Sequence, residues 1–146
     1  MAVGRICSRI TATASPDESV RAAARRMAEF GVGTLVVLKE ESRGARAVGL
    51  ITDRDIAVRC VAEKRDPDVA LVSQVMSAPV HTVDDQTPVE EALARMAAAG
   101  TRRLIVTSDG DRVAGILTLD DVLDLMGREA TAIGRLLEKQ QPHVHA

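Results

Sequence analysis

Aromatic residues are almost absent from this sequence: Phe30 is the one phenylalanine, and tryptophan and tyrosine do not occur. The core must therefore be filled by aliphatic side chains and methionine. Cysteine is scarce too, since Cys7 and Cys60 are the only two and lie far apart. This count excludes a disulfide framework and a zinc-type ligand spacing, so we expect no metal site.

The sequence also has neither a large excess of one charge sign nor a long apolar run. The net charge is −2 over 146 residues, with both signs interspersed. This balance argues against a broad nucleic-acid-binding or membrane-binding surface. No apolar run is long enough to span a membrane, and no signal peptide is recognisable. We therefore expect a cytoplasmic protein whose partners are small molecules or proteins.

The sequence contains an internal repeat. One block recurs after 69 residues and a later block after 66, so the first copy has three extra residues, which we place in the loop between Lys39 and Arg46. The matched pairs are Val20 and Val89, Met27 and Met96, Gly31 and Gly100, Gly49 and Gly115, Thr52 and Thr118, and Asp55 and Asp121. Such a repeat predicts two copies of one supersecondary unit that share a core.

Each copy predicts a strand, a helix, a two-stranded hairpin and a second helix, which is an α/β (α+β) fold class. Apolar residues at three-four spacing form one face of the first helix, and Gly31 and Gly100 are placed as its C-caps. The stretch Thr87-Pro88-Val89-Glu90 predicts a capping box at the start of this helix in the second copy. The first helix in copy one should begin near Glu18.

The most informative stretches are residues 49–55 and 115–121, which share the pattern Gly-h-h-Thr-x-x-Asp, where h is apolar. Each predicts a buried strand that runs through a turn into a helix. A hydroxyl, a carboxylate and the free N–H groups of a helix N-terminus meet at such a turn, where a ribose or phosphate can be held. The same pattern is also capping-box chemistry, so helix capping alone remains the alternative.

The whole pattern resembles the CBS domain, named for cystathionine beta-synthase. Besides the two turns, the blocks Val75-Met76-Ser77 and Arg102-Arg103-Leu104-Ile105-Val106 carry the resemblance, which extends from about Ile6 to Met126. It implies a pair of repeats, called a Bateman module, with residues 1–73 and 74–128 as the repeats and 129–146 as a C-terminal helix and tail. We expect residues 143–145 to fray.

The resemblance implies two clefts that bind an adenosine-containing ligand such as AMP or ATP, with no cofactor required. Asp55 and Asp121 would accept hydrogen bonds from ribose hydroxyls, and Thr52 and Thr118 would hold ribose or phosphate. Arg102 and Arg103 lie where AMP-binding members often carry a His-Arg pair, and guanidinium groups suit phosphate. A solvated strand edge is the alternative for these arginines.

The resemblance also pairs the turn of one repeat with the strand start of the other. One cleft would combine Thr52 and Asp55 with Arg102 and Arg103, and the other would combine Thr118 and Asp121 with Val32, Gly33 and Thr34. Arg54 would face phosphate in the first cleft or pair with Asp53 or a glutamate. We expect an AMP-like ligand to prefer the cleft with the arginines.

No nucleophile-base constellation, P-loop or dinucleotide fingerprint is present, so we do not expect an enzyme. The expected function is regulatory: the ligand-bound state is passed to a partner protein in trans. A structural or protein-interaction module with empty clefts is the alternative. Nucleic-acid binding is a third, favoured only if Arg43, Arg46, Arg54, Arg102 and Arg103 share one face.

The last helix carries more apolar residues than one face can hold, namely Leu119, Val122, Leu123, Leu125 and Met126. This excess predicts a homodimer through the helices that follow the two turns and the first helix of each repeat. Cys7 should be more exposed than Cys60 and is the better candidate for oxidation.

Overall fold

The computed structural model describes residues 1–10 and 12–140. Its elements are β1 (Ser8–Arg9), β2 (Thr13–Ala14), α1 (Val20–Phe30), β3 (Thr34–Glu41), β4 (Gly44–Thr52), α2 (Asp53–Ile56), α3 (Val72–Val75), β5 (Thr82–Asp84), α4 (Val89–Ala99), β6 (Arg103–Ser108), β7 (Arg112–Thr118) and α5 (Leu119–Gln140). A 3-10 turn over Val3–Arg5 precedes β1, and α2 continues as a π-helical turn over Ala57–Val61. The order strand, helix, hairpin, helix occurs twice, which confirms the α+β class. The tail at residues 143–145 lies outside the described residues.

The first helix of each unit begins and ends at positions that match in the repeat. The Ser19 hydroxyl caps α1 by accepting a hydrogen bond from the Ala22 N–H at 3.1 Å. Both helices end at a glycine in the left-handed conformation, Gly31 with φ 64° and Gly100 with φ 62°, as predicted for C-caps. The capping box predicted at Thr87 is wrong, because Pro88 is the N-cap of α4 and no side chain caps that helix.

The strands form two sheets, with the orders β2-β3-β4 and β1-β7-β6-β5. In each unit a short parallel strand flanks an antiparallel hairpin. The hairpin β3–β4 is longer than β6–β7, which accounts for the three extra residues of the first repeat. β1 pairs with β7 in the other unit, where Ser8 lies opposite Ile116 and Arg9 opposite Gly115.

The two units exchange the segments that lead into them. Val3, near the N-terminus, is fully buried in the core of the second unit. Val72 and Val75, which lead into the second repeat, are fully buried in the core of the first. A third cluster around Val36 and Ile105 joins the two sheets. Neither unit completes its core alone, so the structure supports a shared interior; the repeat boundaries at residues 73 and 128 stay predictions.

Along the residues that the structure describes, no helix is long and apolar enough to cross a membrane. The same residues contain no group of three or more His, Cys, Asp or Glu side chains that could hold a metal ion.

Candidate functional site

The two Thr-x-x-Asp turns are capping boxes in the structure. At the start of α2 the Thr52 hydroxyl accepts a hydrogen bond from the Asp55 N–H, and Asp55 Oδ2 accepts one from the Thr52 N–H, both at 3.0 Å. At the start of α5 the same two contacts join Thr118 and Asp121, at 3.2 and 2.7 Å. In each turn a buried strand passes directly into a helix, which explains why the sequence places these residue types there. One carboxylate oxygen of each Asp is thereby committed to the backbone.

A serine from the exchanged segment of the other unit approaches the second oxygen of each carboxylate. The Ser77 hydroxyl lies 3.2 Å from Asp55 Oδ1, and the Ser8 hydroxyl lies 3.5 Å from Asp121 Oδ1. The longer contact is at the limit for a hydrogen bond, so Asp121 Oδ1 is held less firmly than Asp55 Oδ1, whereas Asp121 Oδ2 also accepts a hydrogen bond from the Thr118 hydroxyl at 2.9 Å. The equivalence of Ser8 and Ser77 follows from the repeat offset, which was the signal for these residues in the sequence.

A cavity of about 270 Å³, the Thr118 cavity, lies beside the second turn. Three parts of the chain line it: the N-terminal segment, the start of β3, and the β6–β7 hairpin. Its residues are Ser8, Arg9, Ile10, Ala12, Val32, Gly33, Thr34, Arg103, Ile116 and Thr118. Thr118 was expected to face residues 32–34, and it lies with Val32, Gly33 and Thr34 in this lining.

A second cavity of about 320 Å³, the arginine cavity, adjoins the first and shares Arg103 and Thr118 with it. Arg102, Leu119 and Asp120 complete its lining. Both arginines are exposed, and among residues 1–10 and 12–140 neither forms an ion pair. The cavity opens at the N-terminus of α5, whose first-turn N–H groups and dipole favour an anion. Two cations and one carboxylate leave its lining positively charged.

The expected pairing of Arg102 and Arg103 with Thr52 and Asp55 stays a prediction, although the arginines lie beside the second turn in the structure. Arg103 lies directly opposite Thr118 in the antiparallel register of β6 and β7, and the Leu119 N–H donates to the Arg102 carbonyl at 2.9 Å. The start of one hairpin strand lies beside the end of the other, so the arginines belong next to the turn of their own repeat. Thr52 and Asp55 line neither cavity.

The segment from Val75 to Ser77 covers the first turn. Leu50 and Ser77 exchange two backbone hydrogen bonds, at 3.0 and 2.8 Å. The Arg59 guanidinium holds this segment by donating to the Met76 carbonyl at 2.9 Å. Arg54 is exposed on the first turn of α2 and lines neither cavity. Ser77 pairs with Leu50 beside the first turn as Ser8 pairs with Ile116 beside the second, so the two turns differ in the Arg59 contact and in the cavities next to the second turn.

Arg9 was missed by the sequence analysis. It lines the Thr118 cavity, where it adds a second guanidinium group to that of Arg103. The repeat offset gave no signal for it, because the matching residue in the second repeat is Ala78. Its position follows from the pairing of β1 with β7, a contact between residues more than a hundred positions apart.

The five arginines considered for nucleic-acid binding do not gather on one patch. Arg43 and Arg46 lie at the β3–β4 turn, where Arg46 pairs with Glu41 at 3.0 Å. Arg54 follows the opposite end of β4, roughly 20 Å from Arg46 at about 3.3 Å per residue. This separation removes the condition under which that alternative was favoured.

Cys7 lies beside the second turn and is half-buried, whereas Cys60 is buried, as expected. Burial raises the pKa of the Cys7 thiol, and the nearby Asp121 carboxylate raises the pKa further. A raised pKa lowers the fraction of thiolate, which is the reactive form. The same environment that brings Cys7 close to the site thus makes it a slow nucleophile.

We expect iodoacetamide to alkylate Cys7 in the folded protein several-fold more slowly at about pH 8 than in the denatured chain. The rate should continue to rise above pH 9, because the thiol ionises later than an ordinary cysteine. Asp121→Asn removes the carboxylate charge and should increase the rate at pH 8. Mass spectrometry of the labelled peptide across the pH range measures this; a rate that is already constant below pH 8 would contradict the assignment.

The fold and the two turns define a pair of repeated modules of one type, and the comparisons with known proteins give the family. The chain belongs to the CBS domain family, whose model matches residues 3–61 and 72–128. It is 34% identical over 125 residues to the uncharacterized protein MK0525 of Methanopyrus kandleri, which covers 86% of this chain and 62% of that protein. The chain thus spans less than two thirds of that relative.

Two solved structures share the fold. A structure of Hypoxic Response Protein I with two coordinated zinc ions has a TM-score of 0.71 and 27% identity, covering 85% of this chain and 98% of that one. The CBS domain protein PAE2072 from Pyrobaculum aerophilum, complexed with AMP, has a TM-score of 0.70 and covers 83% of this chain and 89% of its own. Its identity of 24% shows the fold alone.

Proposed function

We propose that this chain is a regulatory member of the CBS domain family that binds an adenosine-type ligand in the Thr118 cavity. The mixed lining of that cavity carries the proposal, because aliphatic side chains there adjoin hydroxyl and guanidinium groups. A nucleotide requires all three: an apolar surface for the base, hydrogen-bond partners for the ribose and positive charge for the phosphate. PAE2072, which shares the fold, was solved with AMP.

The base occupies the apolar part of the cavity. Ile10, Val32 and Ile116 line this part, and no aromatic side chain is among its lining residues. The base therefore packs between aliphatic side chains rather than stacking on an aromatic ring. Affinity for the base then depends on apolar contact area, so different purines should be distinguished weakly by this part of the site.

The ribose and phosphate extend toward the start of α5. Thr118 lines both cavities. Asp121 lies outside both linings but contacts Thr118 and Ser8 in the wall of the Thr118 cavity, and its Oδ1 retains acceptor capacity for a ribose hydroxyl because its contact with Ser8 is long. The phosphate lies in the arginine cavity, between Arg102 and Arg103 and the first N–H groups of the helix. Arg54, Thr52 and Asp55 have no role in this cleft, and their part in a second, weaker cleft stays a prediction.

The sizes of the two cavities suit a mononucleotide. The Thr118 cavity, at about 270 Å³, is close to the lower limit of roughly 300 Å³ for small-molecule sites. The adjoining arginine cavity of about 320 Å³ supplies room for one or more phosphates. AMP, ADP and ATP are therefore the candidates, and a bulky dinucleotide fits less well.

The regulatory step is a population shift. α5 begins inside the site at Leu119 and continues for 22 residues, so a ligand that binds one position of its first turn favours one position of the whole helix. A partner protein in trans reads that position. The proposed activity is binding without catalysis.

The alternative is a structural or protein-interaction module with empty clefts. The hydrogen bonds of Asp55 and Asp121 to their own turns favour it, because capping alone explains both residues. It predicts no nucleotide effect on stability, whereas the proposed function predicts a clear one.

A thermal-shift titration with AMP, ADP, ATP, S-adenosylmethionine and NAD separates the two functions. A ligand that binds only the folded state should raise the melting temperature by roughly 8 °C at about 100 times its Kd, since that excess contributes about 2.7 kcal/mol. Adenosine without phosphate serves as the control for the arginine cavity and should give a smaller rise. If none of the five ligands raises the melting temperature at millimolar concentration, the nucleotide proposal fails.

A further inference from the structure

Among residues 1–10 and 12–140, no other element buries the distal part of α5. Val122 is its single buried residue, and every residue from Gly127 to Gln140 is exposed. This portion is 14 residues long, or about 21 Å at 1.5 Å per residue. Isolated helices of roughly this length are marginal in water, so this one needs a partner to be stable.

The exposed helix carries an apolar stripe. Leu123, Met126, Ile133 and Leu137 are exposed by 53, 58, 60 and 59%, respectively. With Ala130 between them they follow a spacing of three and four residues, which keeps them on one side of a helix. Five of the large exposed apolar side chains of the described chain lie on α5, the fifth being Leu136.

Two glycines interrupt the same side of the helix, seven residues apart. A Cβ added at Gly127 or Gly134 would meet nothing within 4 Å, so no packing within this chain explains either residue. Glycine is the poorest helix former after proline and weakens a helix that is already marginal. Glycine on a helix surface does allow the backbone of another helix to approach closely.

The order of residues along this side identifies the partner. From either end it reads large, small, small, small, large: Leu123, Gly127, Ala130, Gly134, Leu137. A two-fold axis requires such an order, because each residue must meet its own counterpart or the residue equally far from the axis. An antiparallel pair centred on Ala130 places Leu123 level with the partner's Leu137. It also places Gly127 level with the partner's Ile133 and Gly134 level with the partner's Met126, so each glycine lies opposite a large apolar side chain.

Charges support the antiparallel orientation. Asp124 and Arg135 flank the stripe on the same side, and their distances from Ala130 differ by one residue. In an antiparallel pair each Asp124 lies level with an Arg135 on the same flank of the interface, whereas a parallel pair leaves the two Asp124 side chains on opposite flanks and loses this pairing. Within its own helix, Asp124 already pairs with Arg128 at 2.6 Å.

We propose that the side of α5 that carries Leu123, Gly127, Ala130, Gly134 and Leu137 is the surface through which two copies of the chain associate. The two α5 helices are antiparallel, with Ala130 at the two-fold axis. The proposal moves the expected homodimer contact from the first turns of the helix to its distal half. Ala130, Gly134 and Leu137 lie beyond the part matched by the family model, whereas Leu123 and Gly127 lie within it, so the surface extends past the family pattern.

Ala130→Glu tests the surface, with Ala132→Glu on the opposite side of the helix as the matched control. Both variants add the same side chain to exposed positions that favour helix. Sedimentation equilibrium should show a dimer for the unmodified chain at micromolar concentration, at least a hundredfold weaker association for Ala130→Glu, and no change for Ala132→Glu. A monomeric unmodified chain, an undisturbed Ala130→Glu dimer, or equal disruption by Ala132→Glu overturns the proposal.

Disulfide crosslinking tests the orientation. When Leu123→Cys and Leu137→Cys chains are mixed and oxidised, the antiparallel pair should give mostly crosslinks between the two different variants. The native thiols interfere little, since Cys60 is buried and Cys7 half-buried. Crosslinks within each variant alone, with none between the two, would show a parallel pair and overturn the arrangement proposed.

Discussion

Replacing Gly115 by alanine should lower the free energy of unfolding by about 1–3 kcal/mol, the usual cost of forcing an extra methyl group into a filled space. The new Cβ would lie 2.5 Å from the Ser8 carbonyl oxygen and 2.9 Å from Cys7 Sγ. Backbone is the obstacle here, so β1 must move away from β7. Urea unfolding followed by circular dichroism measures the loss.

Gly49→Ala is the matched control at the equivalent position of the first repeat. There the nearest atom to the new Cβ is Met76 Sδ at 2.5 Å, and the Ser77 carbonyl oxygen is farther, at 3.1 Å. A methionine side chain is flexible and can move aside, so this substitution should cost less. Equal destabilisation by Gly49→Ala and Gly115→Ala would show that the backbone of β1 yields as easily as the Met76 side chain, which would contradict this prediction.

Gly115→Ala should also weaken nucleotide binding at temperatures where the variant remains folded. β1 carries Ser8 and Arg9 into the Thr118 cavity, and displacing β1 removes both from the ligand. Gly49→Ala should leave binding close to that of the unmodified chain. The comparison separates damage to the site from a general loss of stability.

Local patterns in the sequence predicted the elements that depend on local physics. The repeat offset located the ends of α1 and α4, because each helix stops at a glycine that alone adopts positive φ without strain. The two Thr-x-x-Asp turns were predicted as strand-to-helix junctions, and their capping bonds are present. The box at Thr87 failed because that residue is buried and its carbonyl receives the Val3 N–H at 2.9 Å, a contact that no local pattern contains.

The arrangement of the site depended on contacts between distant residues, and these were predicted less well. The exchange of the lead-in segments places Ser8 and Arg9 against β7, and nothing near these residues in sequence indicates it. The position of Arg103 beside Thr118 follows from the hairpin register, which was available from the sequence but was given less weight than the pairing implied by the family. The residue types of the two turns were therefore predictable, whereas the assignment of the arginines to one cleft stays a prediction.

Arg103→Ala should weaken AMP binding by roughly tenfold to a hundredfold, because a charge-assisted hydrogen bond to phosphate contributes about 1.5–3 kcal/mol. Arg103 lines both cavities, so no other arginine replaces it at the point where ribose and phosphate meet. Isothermal titration calorimetry with AMP and adenosine measures the effect. The loss should be large for AMP and small for adenosine, since adenosine has no phosphate to contact.

AMP binding by variants of Asp55 and Asp121 shows which of the two clefts holds the ligand. Asn retains a carbonyl oxygen that can accept the capping hydrogen bond, so Asp121→Asn and Asp55→Asn test the carboxylate without removing the cap. Asp121→Asn should weaken AMP about tenfold through the lost ribose contact, and Asp55→Asn should change the affinity less than about twofold. The pairing expected from the sequence gives the opposite order, because it places the ribose on Asp55 together with Arg103. An Asp55→Asn variant that loses AMP while Asp121→Asn retains it would return the ligand to the first turn and exclude the Thr118 cavity as its site.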